Sequence, residues 1–570
     1  MEFRAPRDVP QNLPRNYLPV ALSALQSNAT KRHVVVPLDP DAPLGSISQQ
    51  QLRDLALEGF APDTALGPFT TSEFFVDAGR TQAQKGGSIP KKLVLAVIDT
   101  GIAYWNTAFR TAPGTPDTCV FHEMGYMALN SAAAVPRYEV DFVDRASLLA
   151  DCTWPQDEPH SRQTVRRIAA AHPECAFAKG LPADGFSHGT AMADRLISPL
   201  LAAGKTPKVV GLELPHSAFA DSSGATLHAL LPRALSAVND MAQRAVGPKH
   251  QPWVICVLSY GATGAAFGAN SALTLVLDER FSGELFVPTG NHLQDRLHAK
   301  LTPGETVSWH LPAFDLSANT IELVGTGALP DLVLEDPYKT RVHIPRSFGQ
   351  LHLLYANAQV AAPVVGAVLA KKSETGWKMT IALPGTAPPE GLPAVSAGRW
   401  ALSYEGKGDA GQIEAWIQRD EPVPWARNPG QRLQSFFEHP TYEIEGPNGA
   451  YPLHDAVPAR TPIRRNGSVS AYAGLSRHPF VKTVGAQENQ RGKPRTAYYS
   501  GQFTDPGQAP DMIELVDEDR QGSGTSCLGN GTQRRFDVSG TSVAAAKAAA
   551  RAALAWEESY VPPSVPSVIK

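Results

Sequence analysis

Leu93-Val94-Leu95-Ala96-Val97-Ile98-Asp99-Thr100-Gly101 decides the fold. The apolar run is of strand length, rich in β-branched residues and without polar alternation, the pattern of a strand buried on both faces of a parallel α/β sheet. Chemistry in such sheets collects at the carboxyl ends of the strands. Here the run ends in a carboxylate, and Thr100-Gly101 lets the chain turn without a side chain over it.

Three further patches extend this reading. Ser187-His188-Gly189-Thr190 opens a segment of helical composition running to Ile197. A histidine at a helix start can bring its ring to a strand-end carboxylate, which fixes the imidazole tautomer and leaves the second nitrogen as a general base. Gly540-Thr541-Ser542-Val543-Ala544 begins an Ala-rich run to about Trp556, the best helix-forming stretch in the chain. A serine there has N-terminal amides and a favourable dipole beside its hydroxyl, as a developing oxyanion requires. A Gly-x-Ser-x-Gly nucleophile elbow is excluded, because Ala544 occupies the last place and the Ser, acid, His order is reversed. Thr289-Gly290-Asn291 closes another short apolar run, Leu285 to Pro288.

The order Asp99, His188, Asn291, Ser542 with these flanks resembles the subtilisin-like serine proteases (subtilases). The resemblance implies an α/β fold with a doubly wound, mostly parallel sheet. It implies a serine endopeptidase working through an acyl-enzyme: Ser542 as nucleophile, His188 as proton carrier, Asp99 orienting His188, and Asn291 with the Ser542 amide as oxyanion donors. It also implies a substrate pocket walled by Ser259, Tyr260, Gly261 and Ala262 on one side and Thr289 and Gly290 on the other. These walls are small and carry no acid, so Leu, Phe, Tyr or Met is expected before the scissile bond. A latent or inactive regulatory subunit on the same fold would present the same residues. The second His and the Val usual after the His motif are replaced by Ala191-Met192, and the usual Pro of the Ser helix by Ala546; both are read as packing variation.

Lys208 to Leu214, Trp253 to Gly261 and Pro479 to Ala486 match further core strands, and Leu227 to Val246 has helical periodicity. Asp99 and His188 are 89 residues apart. Both this separation and that from His188 to Ser542 exceed subtilisin's, which places one insertion within about 105–180 and a larger one between Asn291 and Pro479. Within the larger insertion, short alternating runs separated by Gly, Pro and Asp predict an all-β sandwich or jelly roll. The expected organisation is an N-terminal extension over 1–80, propeptide-like or packed on the core; a first catalytic part over 81–299; the β insertion over 300–422; a long loop over 423–465; a second catalytic part over 466–560; and a tail over 561–570. Residues 32–38 are strand-like, 48–57 helix-like and 82–87 linker-like.

The chain has 570 residues, a net charge of −4 and five cysteines. Such a balance offers no basic face for nucleic acid, and no run approaches membrane-spanning length. The expected partner is a protein or peptide substrate, with an activating protein left open. Sparse, odd-numbered cysteines and a start without a signal-like apolar segment predict a cytoplasmic protein without a disulfide scaffold. No cofactor is expected. Cys119-x-x-His122 and His172-x-x-Cys175 have ligand-like spacing, and a structural zinc site or unrelated surface residues are the two readings. The tryptophans of the β insertion are read as core rather than as a ligand platform.

Overall fold

The computed structural model describes residues 35–37 and 90–556, apart from 113–114, 116–117, 131–136, 153–157, 217, 219–224, 265–276, 278–280, 349, 356–363, 374–375, 388–393, 407–410, 421–431, 447–448, 458, 491, 519–523 and 532–533. The deciding run forms β1 (Lys91–Asp99), the middle of a nine-stranded sheet. Around it lie β2 (Phe121–Asn130), β3 (Arg137–Val143), β4 (Lys208–Glu213), β5 (Gln251–Leu258), β6 (Gly283–Pro288), β7 (Val481–Gln490), β8 (Lys493–Thr496) and β9 (Met512–Asp517). The order is β8-β7-β6-β5-β1-β4-β2-β3, with β9 also pairing β7. Every ladder is parallel except β2–β3 and β7–β8.

Among the described residues five helices accompany the sheet: α1 (Arg145–Cys152), α2 (Glu158–Ala171), α3 (His188–Ala202), α4 (Ala225–Val246) and α5 (Thr541–Ala555). The two-fold period of β1 explains why Leu93 to Ile98 are all apolar. Leu95 and Val97 pack in one core with residues of α3 and α5, whereas Val94, Ala96 and Ile98 pack in another with α4. Each buried Val, Leu or Ile contributes ~1.5–3 kcal/mol by leaving water, and both faces of β1 collect it. The fold class is therefore mixed α/β with a mainly parallel central sheet.

The first insertion supplies β2, β3, α1 and α2, so part of it extends the sheet edge. The larger insertion builds two antiparallel sheets over a third hydrophobic core. One runs Val35–Pro37, Gln350–Tyr355, Val364–Ser373, Gly376–Leu383, Asn319–Gly325, Ile413–Ile417, His298–Leu301; the other runs Arg341–His343, Leu332–Glu335, Gly398–Tyr404, Thr306–Leu311, Phe436–Glu438. Trp309, Trp377 and Trp400 are buried in that core.

Three observations differ from the sequence reading. His298–Leu301, which straddles the expected start of the insertion at 300, is a strand of its first sheet. Phe436–Glu438, placed in a loop, pairs with Thr306–Leu311, and Phe437 and Ile463 join the third core. Three residues amid Pro, Arg and Asn carry too little periodicity to mark that strand. Val35–Pro37, within the strand-like run of the N-terminal extension, pairs with Gln350–His352 at the edge of the inserted sheet and not with the α/β sheet. The helix-like and linker-like stretches of that extension, and the C-terminal tail, lie outside the described residues.

Candidate functional site

Asp99 and His188 meet as their flanks dictate. Asp99 is 2% exposed at the end of β1, where its Oδ1 accepts the Thr100 N–H at 2.8 Å. His188 begins α3, and its Nδ1 lies 2.9 and 2.8 Å from the two Asp99 carboxylate oxygens. The helix start is tied to the turn after Asp99: Gly189 N–H donates to the Thr100 carbonyl at 2.9 Å and Thr190 N–H to that of Gly101 at 3.2 Å. A Cβ at position 189 would stand 2.5 Å from the Thr100 oxygen, so only glycine lets the helix approach this closely. A further clamp joins the Ser187 and Thr190 hydroxyls to the buried Asn530 Oδ1, while Asn530 Nδ2 donates to the Pro182 carbonyl.

Ser542 is the second residue of α5, a helix whose valine and alanines pack against α3 and the sheet. Its hydroxyl donates to the Ser259 carbonyl at 2.7 Å, and the Ser259 hydroxyl donates to the Ser542 carbonyl at 3.3 Å. Gly540 before the helix has φ +129, a region that favours glycine, and a Cβ there would stand 3.1 Å from Asn291 Nδ2. Gly540 N–H donates to the Tyr499 hydroxyl, which donates to Asp517.

Asn291 is oriented by its neighbours. Its Oδ1 accepts from both the Thr541 N–H and the Thr541 hydroxyl, each at 2.9 Å, and the same hydroxyl accepts the Gly290 N–H at 3.1 Å. With the oxygen so engaged, the amide nitrogen is the end that donates outward. Thr541 is fully buried. Its sequence signal was present beside Ser542, but its role depends on a contact 250 residues away.

Ser259, Tyr260, Ala262 and Thr289 are buried, and the two expected walls come together. Ser470 stands between them: its N–H donates to the Thr289 carbonyl at 2.7 Å and its hydroxyl accepts the Ala262 N–H at 3.2 Å. Ser470 Cβ is 3.5 Å from where a Cβ on Gly261 or on Gly290 would stand. The Gly290 carbonyl accepts from Gly501. The β insertion reaches this wall, with the Arg419 guanidinium 5.9 Å from the Tyr260 ring centroid. Ser470 went unnoticed because it follows the insertion.

Among the described residues no cluster of His, Cys, Asp and Glu is arranged to hold a metal. The Cys119 thiol hydrogen-bonds with Cys152, while His172 stacks on Tyr126 at 4.0 Å with its Nδ1 3.2 Å from Asp141. All five cysteines are buried free thiols. Among the described residues no helix is long and apolar enough to cross a membrane.

The sequence matches no family profile and no curated protein. The fold, in contrast, is similar to that of the CspB protease of Clostridium perfringens, with a TM-score of 0.52 and 13% identity over 81% of this chain and 82% of that one. This chain shares a protease fold.

Proposed function

We propose that the protein is a serine endopeptidase of the subtilisin-like type. Ser542 attacks the peptide carbonyl; His188 takes the hydroxyl proton and returns it to the leaving amine; Asp99 holds the imidazole tautomer and stabilises the imidazolium; the Asn291 amide and the Ser542 N–H stabilise the oxyanion. Water then hydrolyses the acyl-enzyme by the same proton path. The observation that carries the reading is the Asp99–His188 pair, taken together with Asn291, whose oxygen is turned into Thr541 one residue before Ser542. The likeness in fold to a protease supports it. The β insertion, touching the Tyr260 wall, is proposed to dock or gate substrate at that side. Ser470 between the walls favours smaller side chains before the scissile bond than the walls alone would admit.

A latent enzyme is the second reading, and one observation favours it: the Ser542 hydroxyl is engaged with the Ser259 carbonyl and has to leave that bond to attack. Fluorophosphonate labelling and casein cleavage test both readings. Activity of the untreated protein supports the working enzyme, and activity only after limited proteolysis supports latency. Neither, with or without proteolysis, overturns the peptidase proposal.

A further inference from the structure

Glu213 ends β4, one strand from the site, and the peptide chemistry above does not use it. It pairs with Asp99 across β1–β4 and with Tyr126 across β2–β4. It is 1% exposed. Its Oε1 accepts the Ala176 N–H at 2.9 Å and its Oε2 the Ile102 N–H at 3.4 Å, and the Gly101 N–H also donates to it. Gly101 and Ile102 follow Thr100, whose N–H holds Asp99 and whose carbonyl holds Gly189 beside His188. One turn thus supports both members of the pair, and Glu213 grips that turn while bonding the Ala176 turn of the first insertion.

We propose that Glu213 is a positioning residue for the Asp99–His188 pair, holding the Gly101–Ile102 turn in place. The proposal rests on His188 acting as the general base. The titratable groups around it are Asp99 from β1, Tyr126 from β2 and Cys175 from the turn before Ala176. Burial pushes the Glu213 carboxyl up to about 7; the three N–H donors pull it down and the Asp99 charge adds to the rise.

The test is the lowfield Nδ1–H proton signal of the His188 ring in the full chain, assigned by its loss in His188→Gln and read beside kcat and KM. Glu213→Ala, which leaves the Ile102 and Ala176 N–H groups without their acceptor, is expected to shift or broaden that signal and to lower kcat roughly tenfold with KM little changed. Glu213→Gln, which keeps one acceptor oxygen, is expected to recover part of both. A signal and a kcat unmoved in folded Glu213→Ala overturn the proposal, and the same measurements on Glu213→Gln decide if Glu213→Ala fails to fold. Absence of peptidase activity would defeat the peptidase reading alone, since the ring signal is readable without turnover.

Discussion

The α/β layer and the β insertion solve burial in opposite ways. Along β1 the apolar residues are consecutive and buried on both faces, and beside α3 the alanines of α5 let helix and neighbouring strands come close. In Thr306–Leu311 of the insertion, buried positions alternate with more open ones, and tryptophans fill the space between two sheets. The buried acids differ in the same sense. Glu213 is held by backbone N–H groups around the candidate site. Asp420, also pushed up to about 7 by burial, with the Arg432 guanidinium pulling the other way, lies in an ion pair that ties the end of the first sheet to the chain returning toward Phe436. Close backbone packing brings the candidate site residues together; large side chains and an ion pair fill the core of the insertion.

Removing one partner of the buried Arg432–Asp420 pair tests that separation hardest. Arg432→Ala is expected to cost the insertion ~3–5 kcal/mol, read as an earlier melting transition, while fluorophosphonate labelling at Ser542 persists; joint loss of both would make the two regions one cooperative unit. Asn291→Ala is expected to lower kcat roughly 10²–10³-fold with the melting curve unchanged. A variant that instead loses KM alone would place Asn291 in substrate binding.

The pH dependence of stability sharpens the contrast of the two acids. Because the folded value of Glu213 is raised from 4.5 to about 7, the stability it contributes is fully present below about 4.5 and is lost as pH rises through 7. The loss amounts to about 3 kcal/mol, and Glu213→Gln is expected to flatten that part of the profile in denaturant titrations. Thr541→Val removes the hydroxyl bonds to Asn291 and Gly290 and keeps the shape, so a kcat loss of roughly tenfold is expected, with KM little changed. An unaltered kcat would show that the Thr541 amide alone orients Asn291.

What was legible in the sequence follows the same division. Consecutive apolar residues marked β1, and short flanks marked Asp99, His188 and Ser542, because each depends on its immediate neighbours: a strand end, a close-approach glycine and a helix start. Glu213 was hidden inside an apolar strand, since nothing local says that its carboxylate faces backbone donors from two distant turns. Ser470 and Thr541 act through partners far along the chain. The β insertion showed its alternation and Val35 fell in a run that reads as strand, but the edges at His298 and Phe436 did not show, because short edge strands take their structure from pairing rather than from their own period.

Incubation of the purified protein with a fluorophosphonate probe, followed by mass-spectrometric mapping of the modified residue, decides whether Ser542 is a nucleophile activated by His188. A single adduct on Ser542 is expected, abolished in Ser542→Ala and in His188→Ala. A wild-type protein that stays unlabelled both before and after limited proteolysis, or that is labelled equally when His188 is replaced, would contradict that role.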